Sequence, residues 1–264
     1  MLAAVLFLTP CHAAQTPPSL SAKSAILMDA DSGRVLLAQN ADARSRIAST
    51  TKILTGLLVC EQMALEKTVR VPKEAVGLEG SSMYLAAGEQ ITVRELLYGL
   101  LLRSGNDAAA ALAILCDGSA ASFAERMNAR AAQLGMENSH FCNPSGLDED
   151  GHFSTARDLA LLTRAALRNA AFREAVGTKC ITLGSRVLEN HNRLLWRYPG
   201  ANGVKTGYTR AAGRVLVSSA SRGGRTLIAV TICDPNDWDD HIALLDYGLS
   251  LIHISEPTRL RCIS

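Results

Sequence analysis

A serine three residues ahead of a lysine brings a nucleophile and a base into one motif, and the chain has a single such pair, Ser49-Thr50-Thr51-Lys52. The apolar run Ile53-Leu54-Thr55-Gly56-Leu57-Leu58-Val59 follows at once, which places Ser49 at the start of a buried helix. Residues three apart share a helix face, so the Lys52 amine should lie beside the Ser49 hydroxyl. A serine attacks a carbonyl only when a base takes its proton, and an amine does that only when neutral. Partial burial and a second cation would both lower the pKa of Lys52. The helix start also offers the Ser49 N–H to an oxyanion. Read alone, Ser49 is an ordinary N-cap and Lys52 a solvated first-turn lysine.

Two further triplets change that reading. Ser104-Gly105-Asn106 falls between a helical run ending Leu101-Leu102-Arg103 and a helix starting near Ala108. A tight turn there uses Ser, Gly and Asn for backbone reasons alone. The chemical alternative gives Ser104 a proton relay to a leaving amine, and Asn106 contacts to Lys52 and a substrate amide. Lys205-Thr206-Gly207 precedes a strand from Val215 and reads as an exposed sheet edge, where an extended peptide adds as another strand. Gly207 allows close approach, Thr206 offers a hydroxyl, and Lys205 offers a fixed charge for a substrate carboxylate or a second cation beside Lys52. Val204 between Gly203 and Lys205 does not fit a phosphate loop. By composition S-x-x-K arises roughly once per chain of this size, and K-T-G in about one chain in twenty. Each triplet occurs once, in order, at an element boundary.

The elements that must position these groups are strands at both ends and helices between. Ala25–Met28 and Val35–Ala38 flank a turn-rich segment, and Val215–Ala220 and Thr226–Ile232 flank Gly223-Gly224, so both read as hairpins. Helices are predicted over Lys52–Met63 and Ala108–Cys116. Others open at the capping box Thr92-Val93-Arg94-Glu95, run from Ser119 or Ser122 to Gly135, open at Thr155, and span Asp239–Leu249. The fold class is α+β: one antiparallel sheet assembled from both termini, flanked by helices, with an inserted helical lobe and the site where they meet.

Composition sets the class of partner. A chain of 264 residues, 48% apolar, can bury a full core. A net charge of +2 without a basic run gives no footing for nucleic acid. Residues 1–14 read as the apolar region and cleavage site of an export signal, shortened at its start. Of the seven cysteines none forms a C-x-x-C pair or a zinc spacing, so no metal or other cofactor is expected. The thiols between signal and tail are expected to be free and buried.

The three motifs together are the known signature of penicillin-binding proteins and class A β-lactamases. Ile47-Ala48-Ser49-Thr50-Thr51-Lys52-Ile53-Leu54-Thr55 closely resembles the nucleophile segment of low-molecular-mass penicillin-binding proteins, the serine-type D-alanyl-D-alanine carboxypeptidases. Ser24–Asp29, Asn143-Pro144-Ser145-Gly146-Leu147 and Gly203-Val204-Lys205-Thr206-Gly207-Tyr208-Thr209 extend the resemblance, which covers about Lys23 to Leu249, a catalytic domain drawn at 23–250. It implies a β-lactamase/transpeptidase-like fold and a peptidoglycan stem peptide ending in D-Ala-D-Ala as substrate. Ser49 would be acylated, the last D-alanine released, and the ester hydrolysed by water, with the Tyr208 N–H as second oxyanion donor. β-Lactams would acylate the same serine. It further implies an exported enzyme on the extracytoplasmic side of the bacterial envelope.

In this family a small β-rich domain, and often an amphipathic membrane anchor, follows the catalytic domain; membrane association is expected only through such a region. Residues 252–264 depart from the family's pattern and resemble translated adapter read-through. The cation for the terminal carboxylate is not fixed by the motifs; His241 is a candidate, beside the acidic run Asp234–Asp240, which reads as a solvated turn. A β-lactamase would need a positioned carboxylate for deacylation, and no Glu-x-x-x-Asn segment of that kind is present. D,D-endopeptidase action and a non-catalytic cell-wall peptide or β-lactam binder are the remaining alternatives.

Overall fold

Alternation along the terminal strands builds the sheet. The computed structural model describes residues 16–255. Its first strands are β1 (Ser24–Asp29) and β2 (Val35–Gln39), the predicted hairpin. A 3₁₀ turn, Ala48–Thr51, runs into α1 (Lys52–Gln62). Then come β3 (Thr68–Arg70), β4 (Gln90–Thr92), α2 (Val93–Leu102), α3 (Asn106–Asp117), α4 (Ala120–Gln133), α5 (Ala156–Ala166) and α6 (Ala170–Gly177). The chain closes with β5 (Cys180–Leu183), β6 (Arg186–Glu189), α7 (Leu194–Arg197), β7 (Ala201–Thr209), β8 (Gly213–Arg222), β9 (Arg225–Ile232) and α8 (Asp237–Ser255).

Five strands form one antiparallel sheet in the order β2-β1-β9-β8-β7, so the first strand pairs with the last and β7 is left at an edge. Ile26, Met28, Val215, Val217, Ile228 and Val230 face the core shared with α1, α2, α3 and α5. The alternate residues Leu27, Leu216, Leu227 and Ala229 face a second core with Leu244, Leu245 and Leu249 of α8. This period of two on buried strands is what apolar runs produce when helices cover both faces. The expected fold class is therefore the observed one.

The predicted caps are present: Thr92 and Glu95 form the capping box of α2, Ser119 caps α4 and Thr155 caps α5. Two short hairpins, β3–β4 and β5–β6, and the short helices α6 and α7 were not anticipated, because strands of three or four residues carry no readable period. The last helix runs through Ser255, past the expected end at Leu249. The expected signal, residues 1–14, and positions 256–264 lie outside the described residues. All five described cysteines are free, as expected, but none is fully buried: Cys180 is exposed and the other four are half-buried, with burial raising the Cys60 thiol to about 12.

Candidate active site

The 3₁₀ turn before α1 holds Ser49 at the surface of the helical core while Lys52 goes under it. Lys52 has no exposed surface, and its Nζ lies 2.9 Å from Ser49 Oγ, 2.7 Å from Asn106 Oδ1 and 2.6 Å from the Ser145 carbonyl oxygen. Burial chiefly, and then the positive charge of Lys205, holds its pKa well below the usual lysine value; Asp107 pulls weakly the other way. The Ser145 carbonyl was not among the groups the motifs suggested. Its signal was Gly146, whose φ of +83° and whose position, where a Cβ would fall 1.9 Å from the Ala48 carbonyl, admit only glycine.

Ser104 and Asn106 arrive from the turn between α2 and α3. Ser104 is buried and adopts a left-handed φ of +61°, rare outside glycine. Asn106 opens α3; its Nδ2 donates to the Glu79 carbonyl at 2.6 Å, which leaves Oδ1 aimed at Lys52. Asp107 accepts from Ser82 Oγ and from the N–H groups of Met83 and Leu85, pinning the 81–85 segment beside the turn. This anchoring role gave no sequence signal beyond an acidic residue in a first helical turn.

Lys205, Thr206, Gly207 and Tyr208 lie on edge strand β7, with Gly207 against the nucleophile: a Cβ there would fall 3.1 Å from the Ser49 nitrogen. Opposite residues of an antiparallel pair point to the same sheet face. Lys205 pairs with Val217 and so faces the helical core, whereas Thr206 pairs with Leu216 and Tyr208 with Arg214 on the α8 side. Lys205, expected to present a fixed charge to a substrate carboxylate, has its side chain on that core-facing side. It is 1% exposed, donates to the Thr206 carbonyl at 2.9 Å, and desolvation brings its pKa down to about 7. Its positive charge is also one of the causes that lower the Lys52 pKa.

His241, a candidate cation for the carboxylate, lies inside the protein and away from the cleft lining. It is fully buried between the Ser218 Oγ at 2.6 Å and the Thr231 Oγ1 at 3.0 Å, and burial lowers its pKa to about 3. The acidic run is not a solvated turn either. Asp240 accepts from Ser21 and Ala22, Asp234 accepts from Ser21, and Asp237 receives the Arg214 Nη2 at 2.7 Å. An exposed cation on the same sheet face as Thr206 is Arg214, which also stacks over Trp238 with 5.7 Å from guanidinium carbon to ring centroid. A hairpin count would have found it, since Thr209 pairs with Gly213 and the next outward pair is Tyr208 with Arg214.

These groups share one cleft of about 860 Å³, lined by Ser49, Ser104, Thr206, Gly207, Tyr208 and Arg214 near the nucleophile. The sequence matches the D-alanyl-D-alanine carboxypeptidase family over residues 11–236. It is 40% identical over 242 residues to D-alanyl-D-alanine carboxypeptidase DacF of Bacillus subtilis, covering 87% of this chain and 62% of that protein. It is 38% identical to DacB2 of Mycobacterium tuberculosis over 89% of this chain and 84% of the relative. The crystal structure of the Streptomyces K15 DD-transpeptidase superposes with a TM-score of 0.85 at 35% identity, covering 89% of this chain and all (100%) of that one. The chain thus spans less than two thirds of the DacF length and nearly the whole of the Streptomyces fold. With that sequence match lying over the same nucleophile turn, helix junction and edge strand, the chain belongs to the D-alanyl-D-alanine carboxypeptidase family.

Proposed function

We propose that this chain is a serine-type D-Ala-D-Ala carboxypeptidase that removes the terminal D-alanine from peptidoglycan stem pentapeptides through an ester on Ser49. The observation that carries the reading is the fully buried Lys52 amine, 2.9 Å from the Ser49 hydroxyl and beneath an open sheet edge. A neutral amine has two N–H bonds and one lone pair. With the N–H bonds directed to Asn106 Oδ1 and the Ser145 carbonyl, the lone pair faces Ser49 and takes its proton.

The substrate lies along β7 as an added strand, its scissile carbonyl between the N–H groups of Ser49 and Tyr208. Loss of one such donor typically costs about 2.7–4 kcal/mol of transition-state stabilisation. Ser104 hands a proton to the departing amine, and the terminal carboxylate rests on the Thr206 hydroxyl and the Arg214 guanidinium, a planar fork suited to bidentate pairing. Water then hydrolyses the ester.

Penicillin-type β-lactams acylate the same serine, and their ester clears slowly. Among the described residues the carboxylates lining the cleft are Glu189 and Asp237, and Asp237 is engaged by Arg214. The reaction belongs on the extracytoplasmic side of a bacterial envelope, where the peptidoglycan lies; names of relatives as D-alanyl-D-alanine carboxypeptidases support this. Mass spectrometry after incubation with penicillin, together with D-alanine release from a model pentapeptide, tests the reading. A Ser49 adduct with D-alanine release supports it, whereas rapid penicillin turnover would reassign the chain as a β-lactamase and absence of any adduct would leave a non-catalytic binder.

A further inference from the structure

The stretch Asn143-Pro144-Ser145-Gly146-Leu147 reaches the proposed base through a backbone oxygen, the Ser145 carbonyl 2.6 Å from Lys52 Nζ. That carbonyl and Asn106 Oδ1 are the two acceptors that decide which way the lone pair of a neutral amine points. Asn106 is held by the first turn of α3 and by the Glu79 carbonyl. The Ser145 carbonyl has no comparable support from regular structure, because residues 143–149 lie in neither helix nor strand.

Its direction is set inside the turn. The Ser145 C=O and the Gly146 N–H belong to one planar trans peptide and point opposite ways. The Gly146 N–H donates to Asn143 Oδ1 at 2.8 Å, so this bond fixes where the Ser145 oxygen points. The same Oδ1 accepts from the Ser145 N–H at 3.2 Å and the Ser145 hydroxyl at 3.1 Å, a local side-chain pattern that shapes a backbone lacking regular structure. Asn143 Nδ2 donates to the Leu147 carbonyl at 3.1 Å and to Glu149 Oε2 at 3.0 Å, which keeps Oδ1 turned into the turn. The Thr55 hydroxyl donates to the Pro144 carbonyl at 2.7 Å and seats the turn against α1, the helix that carries the base.

We infer that Asn143 is a positioning residue for the proposed base: by holding the Gly146 N–H it aims the Ser145 carbonyl at Lys52 and so keeps the amine lone pair on Ser49. This rests on the reading of Lys52 as the group that takes the Ser49 proton. A carbonyl accepts more strongly from an ammonium than from a neutral amine, so losing its aim disfavours the charged form of Lys52. The acylation rate then reaches a lower plateau, because the lone pair is no longer directed, while its acid limb moves to lower pH. General loosening of the site would move the limb the other way, since water reaching Lys52 restores the ordinary lysine value. Lys205 on β7 and Asp107 on α3 are the charges that act on Lys52, and substitution of Asn143 leaves both in place.

Penicillin acylation of Ser49, timed by mass spectrometry of the intact protein from about pH 4 to 10, reads both quantities. N143A should lower the plateau rate about tenfold, the effect of one misplaced charge-assisted contact, and shift the acid limb to lower pH than in wild type. N143S, whose hydroxyl can close the same turn, should bring the plateau to within about threefold of wild type and return the limb to its place. N143Q keeps the amide but carries it one methylene too far, so it should behave as N143A does, and it carries the test if N143A does not fold. Thermal unfolding of each variant shows which are folded. A limb that stays in place or moves to higher pH in the Ala and Gln variants, an unchanged plateau, or a serine variant that restores neither quantity would each overturn the inference. A wild type that forms no Ser49 adduct at any pH would instead show that the carboxypeptidase reading has failed, and this positioning role with it.

Discussion

The Arg214 guanidinium is held 2.7 Å from the Asp237 carboxylate, a contact between the first turn of the last helix and the strand beside the Lys-Thr-Gly edge. This pairing fixes where an exposed cation stands on the sheet face shared with Thr206. Replacing Arg214 by alanine should reduce kcat/KM for a peptide with a free terminal carboxylate by about 10–100-fold, the range for losing a charge-assisted hydrogen bond. The same peptide amidated at its terminus should be nearly insensitive to the change. R214K should rescue poorly, because a point charge does not reproduce a planar fork.

The proposed general-base role requires Lys52 neutral, so the acylation rate should rise with pH through the depressed pKa of that amine and not near the ordinary lysine value. Lys205 lowers the Lys52 pKa, so K205M should shift the acid limb of the acylation profile to higher pH. Penicillin acylation rates measured between pH 5 and 10 would show it; a limb moving to lower pH would contradict this electrostatic account.

Ser104 combines a proposed proton-relay hydroxyl with a backbone angle that favours glycine. A left-handed conformation costs an ordinary residue about 1–2 kcal/mol, partly offset in S104G by the greater freedom of glycine in the unfolded chain. The variant should therefore unfold at an equal or higher temperature than wild type while its D-alanine release falls by about 10²–10⁴-fold. Calorimetry and product release on one preparation check both halves.

His241 and His152 are buried in neutral form, with burial as the leading cause lowering them to about 3 and about 4. The unfolded chain binds these protons near pH 6.5, so between that value and the folded pKa values the unfolded state holds more protons. Stability should therefore fall as pH drops through this window and level off below about 3, with each unit of depression worth about 1.4 kcal/mol. Urea midpoints between pH 4 and 7 should show the slope, and H241N should flatten it.

How far the chain could be read in advance varies with how local the cause is. Ser49 and Lys52 were legible because helical spacing alone sets them side by side, and the burial that lowers the amine was written in the apolar run Ile53–Val59. Thr92, Ser119 and Thr155 were legible as caps for the same reason, since a side chain satisfying a nearby N–H involves only its own turn. The hairpins β1–β2 and β8–β9 followed from alternation and their turn residues. The misreadings came where partners are far apart in the chain. His241 looked like a free cation until α8 packed it against Ser218 and Thr231, and the acidic run looked solvated until Asp234 and Asp240 met Ser21 across more than two hundred residues.

The amino-acid order by itself determined the Ser49–Lys52 pairing, the turn beside it and an edge strand, all through spacing of a few residues and the periods of helix and strand. Tertiary structure alone decided which way Lys205 points, that the Ser145 carbonyl completes the Lys52 environment, and that Asp237 holds Arg214 at the cleft. The physical reason is that the direction of a side chain from a sheet, and the desolvation that sets its charge, depend on what packs against the opposite face. Those neighbours come from segments remote in sequence, where no local period reaches.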